Sequence, residues 1–426
     1  MLKKIGFWSV FAIVMSSQIG SGILILPATL TPFGLYSALG WIISGLGAIA
    51  LALVFAGLCQ RFPRTGGPHV YIQAVFGDTA AFFTGWTYWL ISWFSTTAVV
   101  IASIGYLSPF IRAQSPYINF MLEVFLLVSI TWLNLKGTRF AGRTGLILTV
   151  LKTIPLFILP LAAFWSFDIH NFVVNHAVHN LPLSSILAQV TLLTLWGFIG
   201  LETATASAGS VHNPEKNIPK AIILGTAFVA IIYFINSLGI MGLMPSEVLS
   251  HSQAPYIDAT RYLLGGEWHL VVALIAAIIC VGTLNAWMLA SGHVALGLAE
   301  DRLLPHRFAQ RNATGAPIFG LLISAGCILP FLGLMLKSSM AQQISAVIDY
   351  SVTAFLYVYL LCTAAYMKIL FQEKKRGWHW IYASGSALFC LWVLSETSLK
   401  TLGISALFIL SGIPLYWIWY RRTRNA

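Results

Sequence analysis

The sequence predicts an all-α integral membrane protein with twelve transmembrane helices. Only 9% of its 426 residues are charged and 58% are hydrophobic, whereas soluble domains carry about 25% charged residues. Apolar runs long enough to cross a bilayer recur from one end of the chain to the other. Lysines and arginines collect in alternate connections between these runs. Together these observations exclude a soluble fold and predict a single membrane domain over residues 1–426.

Each predicted helix is an apolar run of about 20 residues, the length that spans the hydrocarbon core. Turn-forming and charged residues fill the connections between the runs. The first run lacks a convincing cleavage site and continues too far for a signal peptide, so we interpret it as a spanning helix. The twelve runs lie at about 7–32, 39–59, 80–108, 119–135, 145–165, 186–210, 219–243, 267–297, 316–336, 343–367, 378–396 and 401–420.

The distribution of basic residues predicts the orientation. Nineteen of the 24 lysines and arginines fall in connections on one side, four fall on the other, and Lys152 lies inside a run. Since cytoplasmic loops carry the excess of basic residues, both termini are predicted to be cytoplasmic. Membrane orientation also explains the net charge of +11, so this charge does not indicate a nucleic-acid partner.

Neither the cysteines nor the histidines predict a metal site. All five cysteines lie inside or beside apolar runs without a CxxC or Cys/His spacing, and we interpret them as small core residues. The connection that holds Asp168, His170, His176 and His179 has no lysine or arginine and is predicted to be external. A solvated loop is favoured there over metal ligation, and no cofactor is expected.

Two of the predicted helices contain glycine-rich interruptions at matching places. Gly20, Ser21 and Gly22 lie near the centre of the first run, and Trp196–Glu202 in the sixth run contains two further glycines. Transporters often bind substrate where paired helices are interrupted at the bilayer midplane. Breaks at the first and sixth helices predict a 5+5 inverted repeat, with halves at about 7–165 and 186–367. The alternative is that the small residues only let neighbouring helices pack closely.

A broken helix suits a zwitterionic substrate. Free N–H groups after Gly22, together with the positive end of the half-helix, favour a carboxylate. Free carbonyl groups before Gly20 and at Gly200 are expected to favour an ammonium group. The break therefore predicts a site for a small molecule that carries both charges.

Three ionisable residues fall inside predicted spans, where such residues are rare and usually functional. Glu202 lies beside the second break, where it could hold a substrate cation or a proton, or serve as a structural carboxyl. Lys152 is about 9 Å into the fifth run, where it could release a proton or extend its ammonium group to the interface. Asp349 opens the tenth run and could simply be a helix-end charge. Trp196 and Trp287 lie in mid-run, where they could stack on a cation or cap a cavity.

The same residues carry a resemblance to a known family, the amino acid–polyamine–organocation transporters, and especially to bacterial arginine/agmatine-type antiporters. The matching motifs are spread over most of the chain. They are Gly20-Ser21-Gly22-Ile23 with Leu26-Pro27-Ala28, Pro63-Arg64-Thr65-Gly66-Gly67, Tyr88-Trp89-Leu90, Trp196-Gly197-Phe198-Ile199-Gly200-Leu201-Glu202, Asn213-Pro214 through Ile218-Pro219, and Gly282-Thr283-Leu284 with Trp287.

The resemblance implies a LeuT-like fold, in which helices 11 and 12, at about 378–420, are added to the 5+5 repeat. It implies alternating access around a central site, where Gly20, Ser21 and Gly22 meet the substrate's carboxylate. Trp196, Ile199 and Trp287 would form walls and gates. Glu202 would lie at the proximal gate or sense protons.

Three positions depart from the antiporters that the chain resembles. Thr96 stands where they use an asparagine, and Asp349 replaces a serine that contacts substrate. Lys152 instead looks like the fifth-helix lysine of proton-coupled permeases in the same family, which stands in for a sodium ion in related folds. We therefore predict sodium-independent transport and assign proton coupling to Lys152 and Glu202. Exchange of amino acids or polyamines remains the alternative to proton-coupled uptake.

Other classes of protein fit less well. Ser291 and His293 lie close together in the sequence, but near neighbours on a helix do not face each other as nucleophile and base, so an enzyme is disfavoured. A channel or a sensor is also disfavoured. The expected partners are an amino acid or polyamine substrate, protons and the lipid bilayer, with a homodimer as a candidate assembly.

Overall fold

The computed structural model describes residues 4–111, 115–252, 254–336 and 340–420. Apart from three isolated bridges between extended residues, the regular secondary structure of these residues is helical. Each of the twelve predicted runs coincides with a helix or with an interrupted helix. The prediction of an all-α membrane fold is therefore confirmed.

The described residues of the first half form seven α-helices. The first span is divided at Ile19 and Gly20 into two short helices, and one additional helix lies in the connection between the second and third spans. These helices are α1 (Phe7–Gln18), α2 (Ser21–Leu30), α3 (Tyr36–Arg61), α4 (Pro68–Phe76), α5 (Asp78–Ile111), α6 (Pro116–Leu135) and α7 (Thr138–Ala163).

The second half begins with the short helix α8 (His176–His179) in the connection after α7. The sixth span is then interrupted between α9 (Leu183–Leu195) and α10 (Thr203–Ala206), with a 3-10 turn at Trp196–Phe198. The later helices are α11 (Pro214–Leu243), α12 (Ser246–Ser250), α13 (Pro255–Leu264), α14 (Trp268–Glu300), α15 (Ile318–Met335), α16 (Met340–Gln372), α17 (Trp378–Glu396), α18 (Leu399–Leu410) and α19 (Ile413–Leu415).

Ten helical segments of the described chain are long and apolar enough to cross a membrane. The other two predicted spans are the sixth, whose continuous apolar part is only Leu183–Phe198, and the eleventh, α17. The 19 residues of α17 are long enough, but the helix begins with Trp378, His379 and Trp380, which lower its mean hydropathy. Twelve spans thus remain a prediction, although every predicted segment is helical.

Burial separates the central helices from the peripheral ones. Within an apolar window of 18 residues in each span, 83% of the residues are buried in the first span and 78% in α5, against 22% in α6 and 11% in the last span, Leu399–Ile418. The peripheral helices expose large apolar side chains such as Phe125 and Trp132. An exposed surface of this kind is stable against lipid but not against water. The interrupted first span therefore lies inside a ring of other helices.

Three pairs of spans that occupy the same place in the two predicted halves pack against each other. The second span, α3, contacts the seventh, α11, and the third, α5, contacts the eighth, α14. The fourth and ninth spans, α6 and α15, are also in contact. An inverted repeat is expected to bring equivalent helices together in this way. The repeat itself remains a prediction.

The connection between α7 and α8 is tied to the end of α11. The Asp168 N–H and the Asn171 side chain both donate to the Gly242 carbonyl at 2.8 Å. The Asp168 carboxylate accepts from the backbone N–H and the Nδ1 of His170, and these two donors lower the pKa of that carboxyl. In the described part of the chain, no three His, Cys or acidic side chains form a group that could hold a metal.

A proline in α7 is accommodated by a side chain from α11. Pro160 cannot donate to the carbonyl of Leu156 four residues earlier, and the Asn236 side-chain amide donates to that carbonyl at 2.7 Å instead. Tyr256 of α13 in turn donates to the Asn236 carbonyl oxygen at 2.6 Å. Since an unpaired buried polar group is destabilising, Asn236 joins three helices by satisfying their backbone and side-chain groups.

We predict that Asn236→Leu destabilises the protein. The substitution leaves the Leu156 carbonyl and the Tyr256 hydroxyl without partners, each of which costs about 1–3 kcal/mol. Reversible unfolding in mixed micelles measures the change in the free energy of unfolding. The matched variant Tyr256→Phe removes only one of these bonds and should have a smaller effect. Parental stability in Asn236→Leu would show that this polar contact does not stabilise the fold.

Candidate functional site

The first break consists of two extended residues between α1 and α2. Ile19 has φ −76° and ψ 96°, and Gly20 has φ −136° and ψ −148°. A Cβ atom at Gly20 would lie 2.9 Å from Cγ2 of Thr283 on α14. Glycine is therefore required here because the backbone packs directly against a neighbouring helix, as predicted for an interrupted span.

The second break lies opposite the first. After the 3-10 turn at Trp196–Phe198, Ile199 is extended and Gly200 has φ +102°, a conformation that residues with a side chain rarely adopt. A Cβ atom at Gly200 would also lie 2.9 Å from Cζ2 of Trp287. Both the backbone conformation and the close packing of the indole require glycine at this position.

Hydrogen bonds join the two breaks directly. The Ser17 hydroxyl of α1 donates to the Gly200 carbonyl at 2.8 Å, and the Thr203 hydroxyl lies 2.8 Å from the Ser17 hydroxyl. The Trp287 indole N–H donates to the Ser17 carbonyl at 3.1 Å. One polar network therefore holds α1, α10 and α14 together at the level of the breaks.

The carbonyl groups at the breaks are not free for an ammonium ligand, which corrects the expectation from the sequence. The Gln18 carbonyl accepts from the Tyr233 hydroxyl at 2.6 Å, and the Ile19 carbonyl accepts from Thr283 at 2.6 Å. The Gly200 carbonyl accepts from Ser17 and Thr203. Exposed backbone in an apolar interior requires such partners, and side chains of the surrounding helices provide them.

The start of α2, in contrast, keeps free donors. The first N–H groups of a helix have no partner within the helix, and no side chain caps this end, where the preceding residue is Gly20. The Ser21 hydroxyl and the Gln18 Oε1 atom are buried and have no hydrogen-bond partner in the described chain. This helix end therefore presents unused polar groups, several of them donors, at the break.

A central cavity lies between the two breaks. Its volume is about 20 Å³ when measured as the space open to the centre of a water molecule, which suffices for about one water. Six of the nine predicted substrate-binding residues line it, namely Gly20, Ser21, Gly22, Trp196, Ile199 and Trp287. The remaining lining residues, which sequence reasoning missed, are Ser17, Gln18, Ser95, Val99 and Thr283.

Trp196 covers the donors of α2. A Cβ atom at Gly22 would lie 2.7 Å from Cδ1 of the Trp196 indole, so the ring packs on the backbone where α2 begins. Trp196 itself is 9% exposed. The cavity is therefore closed in this conformation, with an aromatic ring over the predicted carboxylate site.

The neighbouring residue Ser95 replaces Thr96 in the cavity wall. Thr96 is buried but does not line the cavity, whereas Ser95 does and donates to Ser351 at 2.9 Å. Successive helix residues differ by about 100° in direction, so an error of one residue in the register of α5 assigns the wrong residue to the cavity wall. Sequence periodicity could not identify the face of α5 that lines the cavity, because α5 is buried on nearly all sides.

Asp349 does not line the central cavity either. It is half-buried on α16, two residues before Ser351. Two residues correspond to about 200° around a helix, so Asp349 and Ser351 occupy nearly opposite faces, and Ser351 is on the side of the cavity wall. Asp349 as a substrate contact stays a prediction that this conformation does not support.

Glu202 is fully buried behind the cavity wall rather than in it. Its two carboxylate oxygens accept hydrogen bonds from Tyr88 at 2.7 Å and from Tyr359 at 2.6 Å. The ring of Tyr88 lies 6.3 Å from the ring of Trp287, which lines the cavity. Glu202 therefore does not contact the predicted site directly. It is connected to the site through the side chains of Tyr88 and Trp287.

Lys152 points into the protein rather than toward the membrane interface. Its ammonium group donates to the Ile19 carbonyl at 2.6 Å and to the Ser16 carbonyl at 3.1 Å, and the residue is fully buried. The snorkelling alternative is therefore wrong for this conformation. A positive charge lies directly against carbonyl groups released by the first break.

Comparisons with known proteins identify the family of this chain. The amino acid permease family profile matches residues 5–419. The chain is 32% identical over 327 residues to the cadaverine/lysine antiporter of Escherichia coli strain K12. The matched segment covers 76% of this chain and 73% of the relative.

A second relative covers more of the chain. Similarity to the putrescine transporter PotE of Haemophilus influenzae extends over 374 residues at 30% identity, which is 87% of this chain and 86% of the relative. PotE of Escherichia coli strain K12 is 28% identical over 369 residues. From the family match over nearly its whole length and from these relatives, the chain belongs to the amino acid permease family of the amino acid–polyamine–organocation transporters.

Proposed function

We propose that this protein is a sodium-independent secondary transporter that exchanges amino acids and related organic amines by alternating access. The observation that carries the proposal is the uncapped start of α2, where N–H groups and the unpartnered Ser21 hydroxyl border the central cavity. These groups suit a substrate carboxylate. Trp196 and Trp287 would act as the gates on either side of it.

The relatives support exchange as the mode of coupling. One is named as a cadaverine/lysine antiporter and the others as putrescine transporters, so a basic amino acid and a diamine are the leading substrates. Among the described residues, no acidic side chain lines the closed cavity. We assign the balancing of a substrate ammonium to Glu202, which is separated from the cavity by the Tyr88 and Trp287 rings.

Substrate entry requires a change in conformation. The closed cavity of about 20 Å³ is too small for an amino acid, so at least one wall must move before binding. The Trp196 indole, which packs on the start of α2, is the wall whose displacement would expose the donors. Alternating access follows if this gate and the opposite end of the first span open in turn.

Lys152 supports independence from sodium. The carbonyl groups of a broken helix are typical sodium ligands in transporters, and here the ammonium group occupies those of Ser16 and Ile19. The same observation favours a second candidate function, proton-coupled uptake. Loss of the Lys152 proton would remove the charge that holds the break and would link proton movement to conformation.

We further propose that the protein lies in the bacterial inner membrane with both termini in the cytoplasm. The support is the excess of lysines and arginines on one side of the predicted spans. Protons and a second copy of the chain are proposed partners. Cysteine labelling from either side of intact cells, at single introduced positions in the terminal segments, tests the orientation.

Transport in proteoliposomes tests the function. Labelled lysine, ornithine, arginine, cadaverine, putrescine and leucine would be supplied outside vesicles that contain unlabelled lysine, cadaverine or no substrate. Exchange predicts uptake of basic substrates only when substrate is present inside, equally in sodium and in choline buffer. Uptake into empty vesicles driven by a pH difference would favour the proton-coupled candidate, and absence of flux for every compound would contradict both.

We predict that Gly22→Ala weakens substrate binding roughly fivefold or more. The added methyl group would lie 2.7 Å from the Trp196 indole, and overpacking of this kind costs about 1–3 kcal/mol. Gly45→Ala is the matched control, since its methyl group would have its nearest neighbour at 3.5 Å. Binding is measured with labelled substrate on purified protein, and equal affinities in the two variants would refute this account of the start of α2.

For Lys152, we predict that Lys152→Ala abolishes accumulation driven by a pH difference if coupling is to protons. Lys152→Arg should be equally defective, because a guanidinium does not release its proton. Lys220→Ala, which removes an exposed lysine of α11, should behave as the parent. If the parent shows exchange alone, Lys152→Ala should reduce the exchange rate by destabilising the break, and an unchanged rate would remove Lys152 from the mechanism.

A third prediction concerns Glu202. Glu202→Gln keeps the shape that Tyr88 and Tyr359 contact but removes the charge. The pH dependence of transport should therefore flatten, and affinity for a diamine should fall more than affinity for a neutral amino acid. A pH profile and a substrate preference identical to those of the parent would leave Glu202 as a structural carboxyl.

A further inference from the structure

A second cavity lies on the face that the basic residues predict to be cytoplasmic. Its volume is about 190 Å³, measured as for the central cavity. We name it the basic pocket. It is lined by Lys4, Thr138, Arg139, Gly209, Ser210, Arg311, Thr314 and Gly315.

Four separate parts of the chain form the walls of the basic pocket. The N-terminal segment pairs with the residues after α10, since the Ile5 N–H donates to the Ser210 carbonyl at 2.9 Å and the His212 N–H donates to the Ile5 carbonyl at 2.9 Å. The start of α7 forms a third wall. The turn between α14 and α15 forms the fourth, and the Thr314 hydroxyl donates to the Leu135 carbonyl at 3.1 Å.

The charge of the pocket is strongly positive. Lys4, Arg139 and Arg311 all line it. Glu300 compensates only Arg311, to which it forms an ion pair at 2.5 Å. Within the described residues, Lys4 and Arg139 form no ion pair. Three basic residues that line one cavity give it a positive potential, which attracts an anion.

We propose that the basic pocket binds a phosphate-type anion. A phosphate group accepts several charge-assisted hydrogen bonds at once and matches lysine and arginine donors from different directions. Two sources share this chemistry, the headgroup of an anionic phospholipid and soluble phosphate. The volume of about 190 Å³ accommodates a phosphate group with part of its substituent. Close by in the sequence, between α6 and the start of α7, the Lys136 ammonium lies 3.6 Å from the ring centre of the exposed Trp132.

The walls of the basic pocket include the ends of both interrupted spans. The N-terminal segment leads directly into α1, and Gly209 and Ser210 follow α10. The pocket therefore joins the predicted cytoplasmic ends of both interrupted spans to α7 and to the α14–α15 turn. An anion that contacts all of these walls binds only while they are together. It would therefore stabilise the conformation in which this face is closed. This consequence, unlike the binding itself, rests on the proposed transport function.

Binding is tested with two probes on the full-length protein in a neutral detergent. Inorganic phosphate is compared with chloride at constant ionic strength, and dihexanoyl phosphatidylglycerol is compared with dihexanoyl phosphatidylcholine. Calorimetry and the midpoint temperature of unfolding report binding without requiring transport. We expect saturable binding of at least one phosphate probe and not of the matched control compound. Saturation by phosphatidylglycerol alone identifies a lipid site, and saturation by both probes identifies a site for phosphate in general.

Variants connect the binding to the basic pocket. Arg139→Gln and Lys4→Gln should each weaken binding at least about tenfold, the loss expected for one charge-assisted hydrogen bond. Arg143→Gln, one turn further along α7 and outside the pocket, should bind as the parent does. No saturable binding of either probe, or an equal loss in Arg143→Gln, would overturn the proposal. If binding is confirmed but the anion leaves the exchange rate unchanged, only its effect on the gate is refuted.

Discussion

The need to satisfy backbone groups within an apolar interior controls the structure of this transporter. Interrupting the first and sixth spans releases carbonyl groups that water cannot reach, and each one without a partner would cost several kcal/mol. The partners come from elsewhere in the fold: Lys152, Tyr233, Thr283 and Trp287 donate to carbonyls of residues 16–19. The break is therefore held by tertiary contacts, and its shape depends on the helices around it.

This arrangement leaves the two ends of the break chemically different. At the end of α1 the carbonyls are occupied, whereas at the start of α2 the donors are covered only by an aromatic ring. The fold thus leaves hydrogen-bond donors unused at a place where the positive helix end would also favour an anionic group. Movement of the Trp196 side chain, rather than creation of a new polar site, would make this capacity available to substrate.

The two buried ionisable side chains are each associated with one of the breaks. Lys152 is in contact with the carbonyls of one break, and Glu202 follows the other break, where it accepts hydrogen bonds from two tyrosines. The two groups lie on different helices and connect to the cavity through different partners. Lys152 is connected through Ile19 and Thr283, and Glu202 is connected through Trp287. A change in the charge of either one would therefore alter contacts at its own break.

Hydropathy, glycine positions and motif resemblance were sufficient to predict the membrane fold, both breaks and six residues of the cavity wall. The bilayer requires apolar runs of about 20 residues, and glycine lets the backbone of one helix pack closely against a neighbouring element. Both features can be recognised in a single sequence. Tertiary structure alone decided that Ser95 rather than Thr96 faces the cavity, that Asp349 lies on another face of α16, and that the Lys152 ammonium reaches Ile19. These outcomes depend on the rotation of each helix and on partners more than 100 residues away. A helix that is apolar on all sides carries no periodic signal from which its rotation could be predicted.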